Sequence, residues 1–225
     1  MKLTATILLL GAAAAWGQSA AWQEFSIGPP TRMQAGWPPN GIRAEGIPLK
    51  RAIARAYGVA ENRVLGPNWI DDTRYAITGI VANPKDFQPL FQQELGRQFH
   101  MLVHRENRVV PVFVLRPLPE PNKLAAPSSA SPAEMRSDTR GLAAISFPRT
   151  TIPAFADMLG NIAGRPVIDE THLDDSFQVL LRWQAGSNSA LQAAVRSQLG
   201  LDLVDENRAV DMLVIDHIEK LQFSK

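Results

Sequence analysis

The chain has 225 residues, of which 45% are apolar and 20% charged, with no cysteine and a formal net charge of +1. That composition belongs to a folded chain long enough for one large domain or two small ones. It excludes a disulfide framework, a thiolate metal site and a catalytic cysteine, and its near-neutral charge argues against nucleic acid or an anionic membrane surface as main partner.

Residues 1–17, MKLTATILLLGAAAAWG, read as a secretory signal peptide. Lys2 supplies the positive start. Thr6 to Ala15 is apolar but shorter than the roughly 20 residues that cross a bilayer. Ala15 and Gly17 are small residues at cleavage spacing, so cutting is expected near Gly17–Gln18. A retained membrane anchor is the alternative. No later run approaches spanning length, so the mature protein is expected to be exported, periplasmic or extracellular, and not membrane-spanning. Loss of Lys2 leaves 22 basic and 22 acidic residues.

The first half, 18–116, opens with a Pro/Gly-rich arm carrying Trp22 and Trp37, at least one of them open to a partner. A short strand is expected near Gly41–Glu45. Leu49, Ile53, Ala56 and Tyr57 then share one helical face, with Pro48 at the start, where a missing N–H costs least, and Gly58 at the end. The acidic turn Asp71-Asp72 precedes a strand over Tyr75–Ile80. A helix over Asp86–Arg97 follows, with Pro89 in its first turn. Two strands, Phe99–His104 and Val109–Leu115, close the half around a turn at Glu106-Asn107-Arg108, where asparagine tolerates positive φ.

Residues 117–140 contain five prolines and four serines without hydrophobic periodicity, a linker composition. The second half, 141–225, repeats the pattern. It has a strand near Leu142–Phe147, then a helix with Phe155, Met158, Leu159 and Ile162 on one face between Pro153 and Gly164. A strand over Phe177–Trp183 and a helix over Ser189–Leu199 follow. Strands Leu201–Val204 and Val210–Asp216 turn at Glu206-Asn207-Arg208. The Glu-Asn-Arg segments recur at an offset of 100, flanked by matching apolar positions, and Asp71-Asp72 is answered by Asp174-Asp175. Matching blocks in one order point to an internal duplication. The expected fold is α+β: two similar small modules, each with two helices on a mixed or antiparallel sheet. The first half carries 12 basic and 8 acidic residues, the second 7 and 11. Opposite fields of that kind orient two docked halves.

No nucleophile elbow, phosphate loop or dinucleotide fingerprint is present, so no catalytic residue and no cofactor are assigned. His100 and His104 have helical metal-ligand spacing. They alternate with Phe99, Met101 and Val103, though, and on a strand they stand about 13 Å apart, too far to share an ion. Asp169, Glu170 and His172, with Asp174 and Asp175, are dense enough for a hard cation such as calcium. An acidic turn bonding its own backbone accounts for them equally. Asp71 and Asp72 suit paired acid–base work poorly, because neighbours on a strand face opposite ways. Trp69, Tyr75, Phe177 and Trp183 stand near these turns as core aromatics or a stacking ledge.

Several stretches carry a family resemblance. Trp22 to Pro29 (WQEFSIGP), Gly66 to Tyr75 (GPNWIDDTRY), and Gly200 through Lys220 with its Leu213-Val214-Ile215-Asp216-His217 run resemble the soil-associated secreted protein family of acidobacteria, a domain of unknown function. That resemblance implies an exported protein and supplies no reaction. Some members of that family are joined to membrane-bound metallopeptidase sensor domains. The chain departs from the family at Asp169 to Phe177, where His172 replaces a glycine and Asp174 or Asp175 another. The second half is also similar to the short N-terminal module of secretins and TonB-dependent receptors, which holds proteins together without chemistry. The function expected is therefore a non-catalytic binding or protein-interaction module of the cell envelope. Its partner would be an envelope protein or a small ligand, bound in the cleft between the halves, with Trp69, Asp71, Asp72, Asp174 and Asp175 the first residues to test. The alternative is a carboxylate-dependent hydrolase of unknown substrate.

Overall fold

The computed structural model describes residues 22–30, 32, 34–128, 134–138 and 141–223. The expected signal peptide lies outside them. The arm becomes strand β1 (Trp22–Gly28), followed by β2 (Gln34–Gly36) and β3 (Gly41–Pro48). Helix α1 (Leu49–Tyr57) starts after Pro48 and ends at Gly58, whose φ of 63° is left-handed. Strand β4 (Val64–Leu65), the short helix α2 (Trp69–Asp72), β5 (Arg74–Val81), α3 (Phe87–Phe99) and β6 (Leu102–Pro117) complete the first half. The second contains β7 (Glu134–Ser137), β8 (Leu142–Thr151), α4 (Ile152–Ala163), β9 (Val167–Asp169), β10 (Ser176–Gln184), α5 (Asn188–Ala194, prolonged by a π turn over Val195–Leu199) and β11 (Leu201–His217). From β2 to β6 and from β7 to β11, the described strands and α-helices follow one order, apart from the short helix α2 and the 3-10 turns at Glu61–Arg63 and Pro84–Asp86 in the first half. The sheets agree: β1-β5-β3-β2 in one half, β10-β8-β7 in the other.

The fold is α+β, as the apolar periodicities require, with two helices over each sheet. One core gathers Ile42, Ile53, Tyr75, Ile77, Phe91 and Phe99. The other gathers Ile145, Phe155, Leu159, Val179, Leu181 and Trp183. The N-terminal arm proves structured. β1 adds antiparallel to β5, and Trp22 lies 4.8 Å from Phe25 and edge-on to Phe87 at 6.2 Å and Phe91 at 6.5 Å. Trp37 remains 43% exposed.

The closing strands differ from expectation. Neither Glu-Asn-Arg segment turns, and neither Asn107 nor Asn207 has positive φ. Each half instead ends in one long strand, and β6 pairs antiparallel with β11 from Leu102↔His217 to Pro117↔Leu201. Val109 faces Ala209, so residues related by the offset of 100 meet at the centre. The outer strands are exchanged as well. β4 pairs parallel with Leu213 and Val214, and β9 pairs parallel with Phe113 to Leu115. Leu213 and Ile215 therefore seal the first core, and Phe113 and Leu115 the second. The reverse face of the ribbon buries Val112, Val114, Val210 and Met212 as a third cluster. His100 is not on a strand. It caps α3 in the left-handed region at φ 46°.

Charge follows the same exchange. Arg105 meets Asp211 at 2.6 Å, Arg116 meets Glu206 at 2.7 Å and Glu170 at 2.9 Å, His104 meets Asp216 at 2.8 Å, and His100 meets Glu219 at 2.8 Å. Each is a base of the first half on an acid of the second. These pairs are largely exposed, so they set register more than stability. The described parts of the proline-rich stretch are bound to the second half: Lys123 N–H donates to Leu199 C=O at 2.8 Å, Gln178 N–H to Ala125 C=O at 2.9 Å, and β7 extends the sheet.

Two predictions follow from the ribbon. Phe113→Ala, a change in the first half, is expected to destabilise the second core by about 3–5 kcal/mol. Urea unfolding measures the loss, and amide exchange should quicken first in β8 and β10. The His104 pKa is raised, first by the hydrogen bond to Asp216 and further by Glu106, with its slight desolvation opposing. A raised imidazole pKa stabilises the fold below the unfolded value of about 6.5 and ceases to do so as pH rises through the folded value. Asp216→Asn should lower the His104 pKa read by NMR, and should cost more stability at about pH 5.5 than at about pH 9.

Candidate functional site

The exchange fixes how the halves face each other and leaves a groove where α1 approaches α4. After α1 the chain makes a 3-10 turn over Glu61–Arg63. From it Asn62 Nδ2 donates to Asn161 Oδ1 at 2.9 Å, joining the halves. The approach is close because residue 160 is glycine: a Cβ there would lie 2.5 Å from Asn62 Nδ2 and 3.0 Å from the Arg165 carbonyl oxygen. Arg165 also reaches across, its guanidinium 3.4 Å from the centre of the Phe113 ring.

Two cavities, of about 270 and 330 Å³, share Arg51, Glu61 and Asn161 and form one groove. One end is lined by Trp37 and Arg55, the other by Lys50, Asn62 and Asp71. Arg51 is paired with Glu61 at 2.6 Å and Lys50 with Asp71 at 2.9 Å. Arg55 lies 5.8 Å from the ring centres of both Trp37 and Phe87, and has no carboxylate partner among the described residues. The amphipathic α1 produces this arrangement: Leu49, Ala52, Ile53 and Ala56 face the core, which turns Arg51 and Arg55 outward at i, i+4 spacing.

Of the residues singled out by sequence, Asp71 lines the groove. Asp72, on the same short helix, is exposed and outside it. Trp69 packs against the first core with Lys220 6.0 Å above its ring. Asp174 and Asp175 line a separate cavity of about 550 Å³ with Arg149, Leu124 and Phe177, so no described cavity holds both acidic pairs. Asp169 and Glu170, of the cation reading, are engaged by protein donors. Asp169 Oδ1 accepts from the Thr171 N–H at 2.8 Å and hydroxyl at 2.7 Å. Glu170 accepts from Arg116 at 2.9 Å and Arg208 at 3.4 Å, an engagement that raises the Arg116 pKa. His172 turns the chain at φ 59°, a conformation that glycine adopts without strain. Among the described residues no three of His, Asp and Glu are grouped to hold a metal.

Arg51, Arg55, Asn62 and Asn161 were missed by sequence reasoning. The first two look like ordinary solvent-facing positions of a helix, and nothing local marks the asparagines as partners.

A family model described as a protein of unknown function (DUF3738) matches residues 50–218, and the chain belongs to that family. No curated protein and no solved structure matches the chain.

Gly160→Ala is expected to cost about 1–3 kcal/mol, because the added methyl meets Asn62 and a backbone carbonyl. Thermal unfolding measures the loss. Chemical shifts should change on both sides of the groove, at Asn62 and Asn161.

Proposed function

We propose that this DUF3738 protein is an exported, non-catalytic binding module of the cell envelope, with the groove between its halves as ligand or partner site. The observation that carries this reading is Arg55. It is a cation without a carboxylate partner among the described residues, 5.8 Å from the ring centres of Trp37 and Phe87 at the mouth of a groove to which both halves contribute. A guanidinium beside aromatic rings and without an acid is suited to a planar or anionic group. The rigid junction spares a ligand much of the ordering cost of binding.

The residues within 1–17 support export. No helix among the described residues is long and apolar enough to cross a membrane. A non-catalytic role is supported by the use of the acids: Asp71 pairs with Lys50, Asp169 with Thr171, and Glu170 with two arginines. The alternative, a carboxylate-dependent hydrolase, would have to use Asp71 with Asp72, or Asp174 with Asp175, since the two pairs line no common cavity.

Capture from a cell-envelope extract tests the reading, with wild type compared against Arg55→Glu and Trp37→Ala. Both positions are exposed, so both variants should unfold at the wild-type temperature. The species retained by wild type is expected to be lost by both. Equal retention by all three overturns the groove as site. Turnover of an extract component that Asp71→Asn or Asp175→Asn abolishes would favour the hydrolase.

A further inference from the structure

β5 and β10 hold matching places, one beside β3 and the other beside β8. Their buried positions correspond as Ile77 to Val179 and Val81 to Trp183. The far edge of β5 is closed by β1, with Glu24 opposite Ile80, Ser26 opposite Thr78 and Gly28 opposite Ala76. Among the described residues, the far edge of β10 has no such strand. Its counterpart positions are Arg182, Leu180 and Gln178.

Two of those three positions are served by substitutes. Ala125 C=O accepts the Gln178 N–H at 2.9 Å, standing where Gly28 stands in the first half. The Gln198 side-chain amide serves Arg182 as a peptide group would. Its Oε1 accepts the Arg182 N–H at 3.0 Å and its Nε2 donates to the Arg182 C=O at 2.6 Å. It stands where Glu24 stands. The matching glutamine of the first half, Gln98, bonds Glu94 on its own helix at 2.8 Å, because β1 already closes that edge. The π turn over Val195–Leu199 delivers Gln198 to this post, whereas α3 is regular to its end.

The middle position is unserved. The period-two ladder turns the Leu180 N–H and C=O to the same side as those of Arg182. Neither has a hydrogen-bond partner among the described residues. The Leu180 side chain is 49% exposed. A cavity of about 500 Å³ opens there, between Lys123 and Ala125 on one side and Gln198 and Leu199 on the other. The vacancy corresponds to Ser26.

We propose that this edge of β10 is a strand-acceptor site, which takes an extended peptide segment of a partner protein antiparallel to β10, as β5 takes β1. The peptide's central residue pairs with Leu180, and the next displaces the Gln198 amide from Arg182. Backbone bonds supply affinity, and alternate apolar side chains, as Phe25 and Ile27 are in β1, supply selectivity. Gln198 keeps the edge from pairing indiscriminately until a fitting strand arrives. A second copy fits poorly. Pairing β10 with β10 about Leu180 sets the chain at Ala125 of one copy against Gln198 of the other. The site lies apart from the groove at Arg55 and does not depend on it.

The probe is a capped synthetic peptide of the Trp22–Gly28 sequence, WQEFSIG, added to the full chain and followed by NMR and amide exchange. Slowed exchange at Leu180, with shifts at Gln178, Arg182 and the Gln198 side chain, supports the site. Gln198→Ala should tighten binding several-fold. A peptide N-methylated at the serine, which loses one backbone bond, should bind about tenfold more weakly. Absence of binding to both wild type and Gln198→Ala overturns the proposal. Equal affinity for the N-methylated peptide overturns it too, as do shifts at Thr78 and Ile80 that mark displacement of β1. Self-association of Gln198→Ala in sedimentation, in place of peptide binding, assigns the edge to a second copy and also overturns it.

Discussion

The ladder between β6 and β11 is the contact on which both cores depend. Each strand begins in one half and ends in the other, so Phe113 and Leu115 close the core around Trp183 while Leu213 and Ile215 close the core around Tyr75. Burying each of these side chains is worth about 1.5–3 kcal/mol, and no residue of the receiving half replaces them. Domain swapping between protomers follows the same logic. Here both partners lie on one chain, so the exchange needs no second molecule. Closing a loop as long as the intervening segment adds little, because closure entropy grows only slowly with length.

The exchange also orders the polar chemistry. The halves carry opposite charge excess, and the ribbon brings bases of the first onto acids of the second: Arg105 to Asp211, Arg116 to Glu206, His104 to Asp216. Of the carboxylates that stand out in the sequence, Glu170 is engaged in this way, Asp169 by a local turn and Asp71 by Lys50. The two proposed sites lie where the halves differ. Asn62, on the turn after α1, meets Gly160 and Asn161 of α4 at the junction, beside which Arg55 has no carboxylate partner among the described residues. The edge of β10 is another such place, because the first half has a strand, β1, for which the second has no counterpart among the described residues.

The sequence by itself determined the α+β class, the four longer helices, the caps at Gly58 and Gly164, and the strands β5 and β10. These are local matters: amphipathic period, the φ freedom of glycine and alternation of apolar residues all act within a few residues. Only the tertiary structure decided that the Glu-Asn-Arg segments run straight. A hairpin and an exchanged ribbon present the same alternation to each strand. The choice between them rests on which distant strand completes the apolar face, and that partner is not encoded nearby. The same reason hid the groove. Asp71 drew notice as part of an acidic pair, whereas Arg55 and Asn62 gain their meaning from neighbours that lie far along the chain and arrive only when the two halves close on each other.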